Sequence, residues 1–198
     1  GYSLGIGLNT SFTGEDSLDI SLDAGNTTAT ELGIVEFDGN ATADALKVDG
    51  VSYTFPLGDK MTVIVGDNTD GSALFTTSCT YGGPTNTLDD CGNVNAGITN
   101  GGAMVGASYD FGSGFTAAVG YAAGDTDMAT GLLTKETLDA YGVNASYTGD
   151  NFGVSVTYGL VETSSIDEDT YTAFNGYYSP EGFPSISVGY EIGEDGSV

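Results

Sequence analysis

Residues 2–12 read YSLGIGLNTSF, and the parity of this stretch constrains the fold more than any other feature. Even positions hold Tyr2, Leu4, Ile6, Leu8, Thr10 and Phe12, and odd positions hold Ser3, Gly5, Gly7, Asn9 and Ser11. Successive side chains of a strand point to opposite faces, so this alternation sorts the large apolar groups onto one face. The turn residues 13–16 follow. Leu18, Ile20, Leu22 and Ala24 then alternate with Ser17, Asp19, Ser21 and Asp23. The pattern returns at 45–57, 61–66, 102–111, 115–123, 137–148, 151–161, 170–179 and 184–192. It is least regular where Asp139 falls on the apolar parity and where Phe174 and Tyr177 cannot share a face. About ten strands are expected, with 130–137 the one candidate for a helical turn.

The connections alternate in length. Those at 13–16, 58–60, 112–114, 149–150 and 180–183 are short; those at 26–44, 67–101, 124–136 and 162–169 are long. An up-and-down meander with tight turns on one rim and long loops on the other gives this order, as in outer-membrane barrels. The aromatics agree. Phe12, Phe55, Tyr109, Phe111, Phe115, Tyr147 and Phe152 fall near the short-turn rim, and Tyr2, Tyr121, Tyr141, Tyr158 and Tyr190 near the other. Rings at two levels around a Leu, Ile, Val and Ala band match two water–lipid interfaces. The opposite parity is small and polar, which suits a wide, wetted interior. Several strands have the roughly 9–11 residues that a tilted transmembrane strand needs, and lipid does not tolerate open strand edges. The expected fold is therefore all-β, an antiparallel up-and-down transmembrane β-barrel forming a single domain over 1–198. It opens at Gly1-Tyr2 as if inside a strand and ends in an acidic segment, so a domain incomplete at both ends and a larger parent barrel are expected.

Charge narrows the function. The chain has 3 Lys+Arg against 28 Asp+Glu, a net charge of -25, and the cations are Lys47, Lys60 and Lys135. No basic footprint for nucleic acid exists. Without histidine there is no imidazole base and no ordinary zinc site, and without arginine no guanidinium clamp. The 12 Tyr, 9 Phe and 39% apolar residues argue against long disorder. No apolar run approaches the roughly 18 residues of a membrane helix.

The candidate functional residues follow from parity. Asp19, Asp23, Asp110 and Glu191, with Asn9 and Asn144, share the polar face and are expected to line a pore. Carboxylates in a low-dielectric wall concentrate cations and repel anions. Most other carboxylates lie in the long loops and face water. The segment 67–101 is the candidate for a folded-in constriction. Both cysteines, Cys79 and Cys91, lie in it, and in an oxidising cell-surface setting they read as a disulfide. Closing a loop of about a dozen residues stabilises by roughly 3 kcal/mol in the chain-entropy model. It would hold 82–90 as a compact knob. The stretches 67–71 and 125–127 look like partial calcium loops but lack a closing Glu at the full spacing. No cofactor is expected, beyond adventitious Ca²⁺ or Mg²⁺ on the acidic loops. The N-x-S/T triplets at Asn9, Asn26, Asn40 and Asn144 read as chance. Asp167 and Asp169 have no apolar pocket to raise one pKa, so no glycosidase chemistry is expected.

The stretches TSFTGEDSLDISLDAGN (10–26), FPLGDK (55–60), FGSGFTAAVGY (111–121), GLLTKETLDAYG (131–142), DNFGVSVTYG (150–159) and NGYYSPEGFPSISVGYE (175–191) carry a resemblance. The chain resembles the cyanobacterial outer-membrane porins, most closely the marine picocyanobacterial branch. That resemblance implies a barrel of about sixteen strands like that of carbohydrate-selective porins. It also implies a trimer in the outer membrane with long loops extracellular, passing small ions and solutes. An N-terminal S-layer-homology region, absent here, would reach peptidoglycan. Some members are labelled iron-uptake porins. Relatives often carry Lys or Arg where this chain has Glu15, Asp16, Ser17, Asp19 and Ser21. The expected function is passive diffusion, with cations and neutral solutes preferred and no chemistry performed. A non-conducting structural tether or surface coat is the alternative. A soluble acidic β-sandwich adhesin is the third reading.

Overall fold

A computed structural model describes residues 1–26, 30–32, 35–37, 41–79, 98, 101–124, 138–162 and 167–195. The expected alternation becomes ten long strands. They are β1 (Ser3–Thr10), β2 (Ser17–Gly25), β5 (Lys47–Leu57), β6 (Met61–Asp67), β7 (Gly101–Gly112), β8 (Phe115–Gly124), β9 (Asp139–Thr148), β10 (Phe152–Glu162), β11 (Glu168–Tyr178) and β12 (Ile186–Asp195). Two three-residue strands, β3 (Thr30–Leu32) and β4 (Val35–Phe37), pair as a hairpin inside the connection expected to be a loop. Strands that short carry too little alternation to be read from the sequence. The possible turn of helix at 130–137 lies outside the described residues.

The ten long strands form one antiparallel sheet in the order β1-β2-β5-β6-β7-β8-β9-β10-β11-β12. Neighbours in space are neighbours in sequence, apart from the β3–β4 hairpin. The sheet is open: no ladder joins β1 to β12 among the described residues. The expected up-and-down order is present; closure into a barrel is not.

The turns explain the order. Between β7 and β8 the two central residues, Ser113 (φ 55°) and Gly114 (φ 86°), are both left-handed. That is the hairpin geometry whose twist matches the twist of the flanking strands.

The β1–β2 turn is held differently. Asp16 is buried at its end. Its Oδ1 accepts from Ser11 Oγ (2.6 Å), Thr13 N (2.7 Å), Thr13 Oγ1 (2.7 Å) and Phe12 N (3.0 Å). Its Oδ2 accepts from the Tyr53 hydroxyl at 2.6 Å, tying the turn to β5. The Ser11 hydroxyl first, then those of Tyr53 and Thr13, hold this carboxyl far below the usual range. A depressed folded pKa gives stability that is complete above the unfolded value, about 3.9, and is lost as pH falls towards the folded one. Asp16→Asn is therefore expected to lower the melting temperature at pH 7. The gap to wild type should narrow steadily below about pH 4, which thermal unfolding at pH 7 and pH 3 would show.

Aromatic rings lie along the same rim. Phe12 meets Tyr53 edge-on at 6.1 Å and Tyr53 stacks on Phe55 at 5.4 Å. Tyr109 meets Phe111 at 4.8 Å, and Tyr147 lies 4.6 Å from Phe115 and 5.5 Å from Phe152. The seven rings expected on the short-turn side all take part, joined by Tyr53.

Candidate functional site

The two faces of the sheet are buried the wrong way round for a domain in water. On β10, Val154 and Val156 are 51% and 38% exposed, while Ser155 and Thr157, between and beside them, are 7% and 0%. The inversion is clearest on β9 and β10, whose exposed and buried residues alternate strictly over most of their length. Exposed apolar side chains include Leu4, Ile6 and Leu8 of β1, Val105 of β7, Val119 of β8, Val143 of β9 and Val188 of β12. Buried polar ones include Asn144, Ser146, Asn175 and Ser187. Covering one such apolar side chain is worth about 1.5–3 kcal/mol. A contiguous apolar face of this kind marks a surface that meets lipid or another protein.

From β5 to β10 the polar face is crossed by the chain's own segment after β6. Asn68 N donates to the Gly102 carbonyl at 3.0 Å, and the Asn68 side-chain amide donates to the carbonyl of Asp49. Gly71 N then donates to the Ile98 carbonyl at 2.8 Å, while Ile98 N donates to Ser72 Oγ at 3.1 Å. Asp70 Oδ1 accepts from Ser72 N (2.7 Å) and Ser72 Oγ (2.5 Å), fixing that junction. Further along, Thr76 N donates to Asn144 Oδ1 at 3.0 Å, and Asn144 Nδ2 donates back to the Thr76 carbonyl at 3.1 Å. Ser78 N donates to Ser155 Oγ at 2.9 Å. The segment thus runs from β5 to β10 over the polar face. This is the part of the chain expected to fold inward.

Its apolar residues make the small cluster that the sheet encloses. Ile98, fully buried, packs with Ile64, Met104, Ala122 and Ala140, and Leu74, Phe75 and Val161 close it. The floor is glycine. Gly106 faces Gly120 in register, Gly120 faces Gly142, and Gly142 faces Gly159. The sequence reading missed this row. Its signal was a glycine recurring on four successive strands, which becomes a row only once the register is known.

The structure brings some of the expected pore residues together and sets others apart along the open sheet. Asn9 and Asp19 come together: Asn9 Nδ2 donates to Asp19 Oδ1 (2.6 Å) and Ser17 Oγ (2.6 Å), and Ser17 Oγ donates to Asp19 Oδ2 (2.6 Å). Asp23 stands opposite Lys47 in the β2–β5 register. Asp110 lies at the short-turn rim, where Gly112 N donates to its Oδ1 at 2.7 Å. Glu191 sits on β12 opposite Ala173, four strands along from β8. Asn144 lies under the infolded segment, 3% exposed, and also donates to Thr157 Oγ1 at 2.8 Å. Cys79 ends the described part of the segment, and no described cysteine is free; Cys91 lies outside the described residues. Among the described residues no group of carboxylates or thiols is arranged to hold a metal ion. No helix is long and apolar enough to cross a membrane, which says nothing about strands.

Compared with known proteins, the chain matches no family model and no curated protein.

Proposed function

We propose that the chain is a section of an outer-membrane porin, a closed and larger barrel in the parent protein, through which small cations and neutral solutes diffuse. What carries this reading is the inversion of the faces: Val154 and Val156 exposed, Ser155 and Thr157 buried, on one strand. In hydrocarbon the exposed face is the stabilising one, and the polar face borders water. Strand lengths of 10–12 residues on β7 to β12 suit a tilted crossing, and the ring belt suits an interface. The resemblance to cyanobacterial porins supports the same reading. It adds a bacterial outer membrane with long loops outside, a homotrimer, and contact with peptidoglycan through an N-terminal region. A Cys79–Cys91 disulfide would brace the infolded segment. The reaction class is transport without chemistry.

A second reading has its own observation. The infolded segment covers the polar face of β7 to β10, so a plugged barrel serving as a tether or surface coat uses the same structure. Planar-bilayer recording under a salt gradient separates the two. The expected result is a conducting channel with a cation-selective reversal potential. In Asp19→Asn with Asp23→Asn that potential should move towards zero. Conductance without cation preference would remove the carboxylates from the account. Silence from folded, detergent-extracted protein would favour the tether.

A further inference from the structure

Within the porin reading, on which this inference rests, the question is what fixes the width of the path. Most side chains on the polar face are small, so the segment that lies on it governs the free cross-section. The segment presses the Gly71 main chain into the sheet together with the Ile98 and Phe75 side chains. A Cβ built on Gly106 would lie 2.9 Å from the Gly71 carbonyl oxygen. One built on Gly120 would overlap that oxygen, with the Gly71 carbonyl carbon at 2.8 Å and Phe75 Cε1 at 3.4 Å. One built on Gly142 would meet the Tyr158 carbonyl oxygen of β10 at 2.6 Å and Ile98 Cδ1 at 2.7 Å. The notch is therefore only as deep as the missing side chains.

The contrast with β1 gives the direction of the path. Gly7 shares the polar parity, and a Cβ there would meet nothing within 4 Å. Asn9, Ser17 and Asp19 lie on this side, which no described residue of the segment bonds, and are bonded to one another. The described bonds of the segment reach β5, β7, β9 and β10 but neither β1 nor β2.

We propose that Gly120, aided by Gly106 and Gly142, is a positioning residue for transport: it lets Gly71 and Phe75 sink onto the sheet and confines passage to the β1–β2 wall beside Asn9, Ser17 and Asp19. Gly120 touches no solute; it acts through the segment. All three nearest atoms to its added Cβ belong to that segment, so Gly120→Ala pushes on the segment and spares the sheet.

The test is single-channel recording of Gly120→Ala, alone and combined with Asp19→Asn. The expected result is a conductance changed severalfold, with the effect of Asp19→Asn on the reversal potential reduced, because solute is no longer held against that wall. Ile98→Ala, which loosens the segment from the cluster without touching β8, should act in the same direction, and it serves if Gly120→Ala does not fold. Unchanged conductance with the full Asp19→Asn effect, in either folded variant, overturns the proposal and leaves the porin reading intact. A silent wild-type protein overturns the porin reading itself.

Discussion

Val143→Arg is expected to cost about 2–4 kcal/mol of folding stability in lipid vesicles, because arginine near the midplane of a lipid-facing strand loses hydration that hydrocarbon cannot replace. Val143 lies in the middle of β9 and is 51% exposed. It sits in register with Val119 of β8 and Tyr158 of β10 on the apolar face. The same exposure on a soluble protein would make this substitution nearly silent, within about ±0.5 kcal/mol. The two solvents therefore predict different outcomes for one variant. Urea unfolding of vesicle-reconstituted protein reads it, with Ser21→Arg as the control on the open polar face. Equal stabilities for wild type and Val143→Arg would contradict a lipid-facing sheet.

Asn144→Ala is expected to have the second large effect. Its side chain bonds both the Thr76 amide and the Thr76 carbonyl, and it also donates to Thr157 Oγ1. Removing it strands buried polar groups, each costing about 1–3 kcal/mol when left unmatched. Water entering the vacated space recovers part of that, so a net loss of about 2–4 kcal/mol is expected. The loss is local. Hydrogen exchange at residues 71–78 should speed up markedly while exchange in β1 and β2 stays as in wild type. Uniform exchange across the chain would show that Asn144 is not what ties the segment down. Thr157→Val, which removes one partner and keeps the bonds to Thr76, should have a smaller effect.

The long strands were legible because a two-faced antiparallel sheet writes period-2 alternation into each of them. The expected strand at 115–123 is Phe115–Gly124, and that at 151–161 is Phe152–Glu162. The length of the connection 67–101 pointed to an inward segment, and its described residues from Asn68 to Ser78, with Ile98, do lie on the sheet. Other features were hidden for definite reasons. Asn144 reads as one more polar residue on β9, since its bond partner Thr76 is 68 positions away. Gly106, Gly120 and Gly142 read as weak spots in strands until register aligns them under Gly71 and Ile98. Asp16 reads as an ordinary turn acid, because nothing in the spacing says that Tyr53 will reach it from β5. Parity assigns Asp19, Asp110 and Glu191 to one face but not to one level, and they stand on β2, β7 and β12.

The central claim is that the apolar face meets lipid and the polar face water. The chain has no tryptophan, so one introduced ring is an unambiguous reporter. Val119→Trp places it on the apolar face of β8, and Ser21→Trp on the open polar face of β2. In bilayers with brominated acyl chains, the account predicts strong quenching of the first and little of the second, with aqueous iodide giving the reverse order. Iodide quenching of both rings, with no effect of the brominated lipid on either, would contradict it.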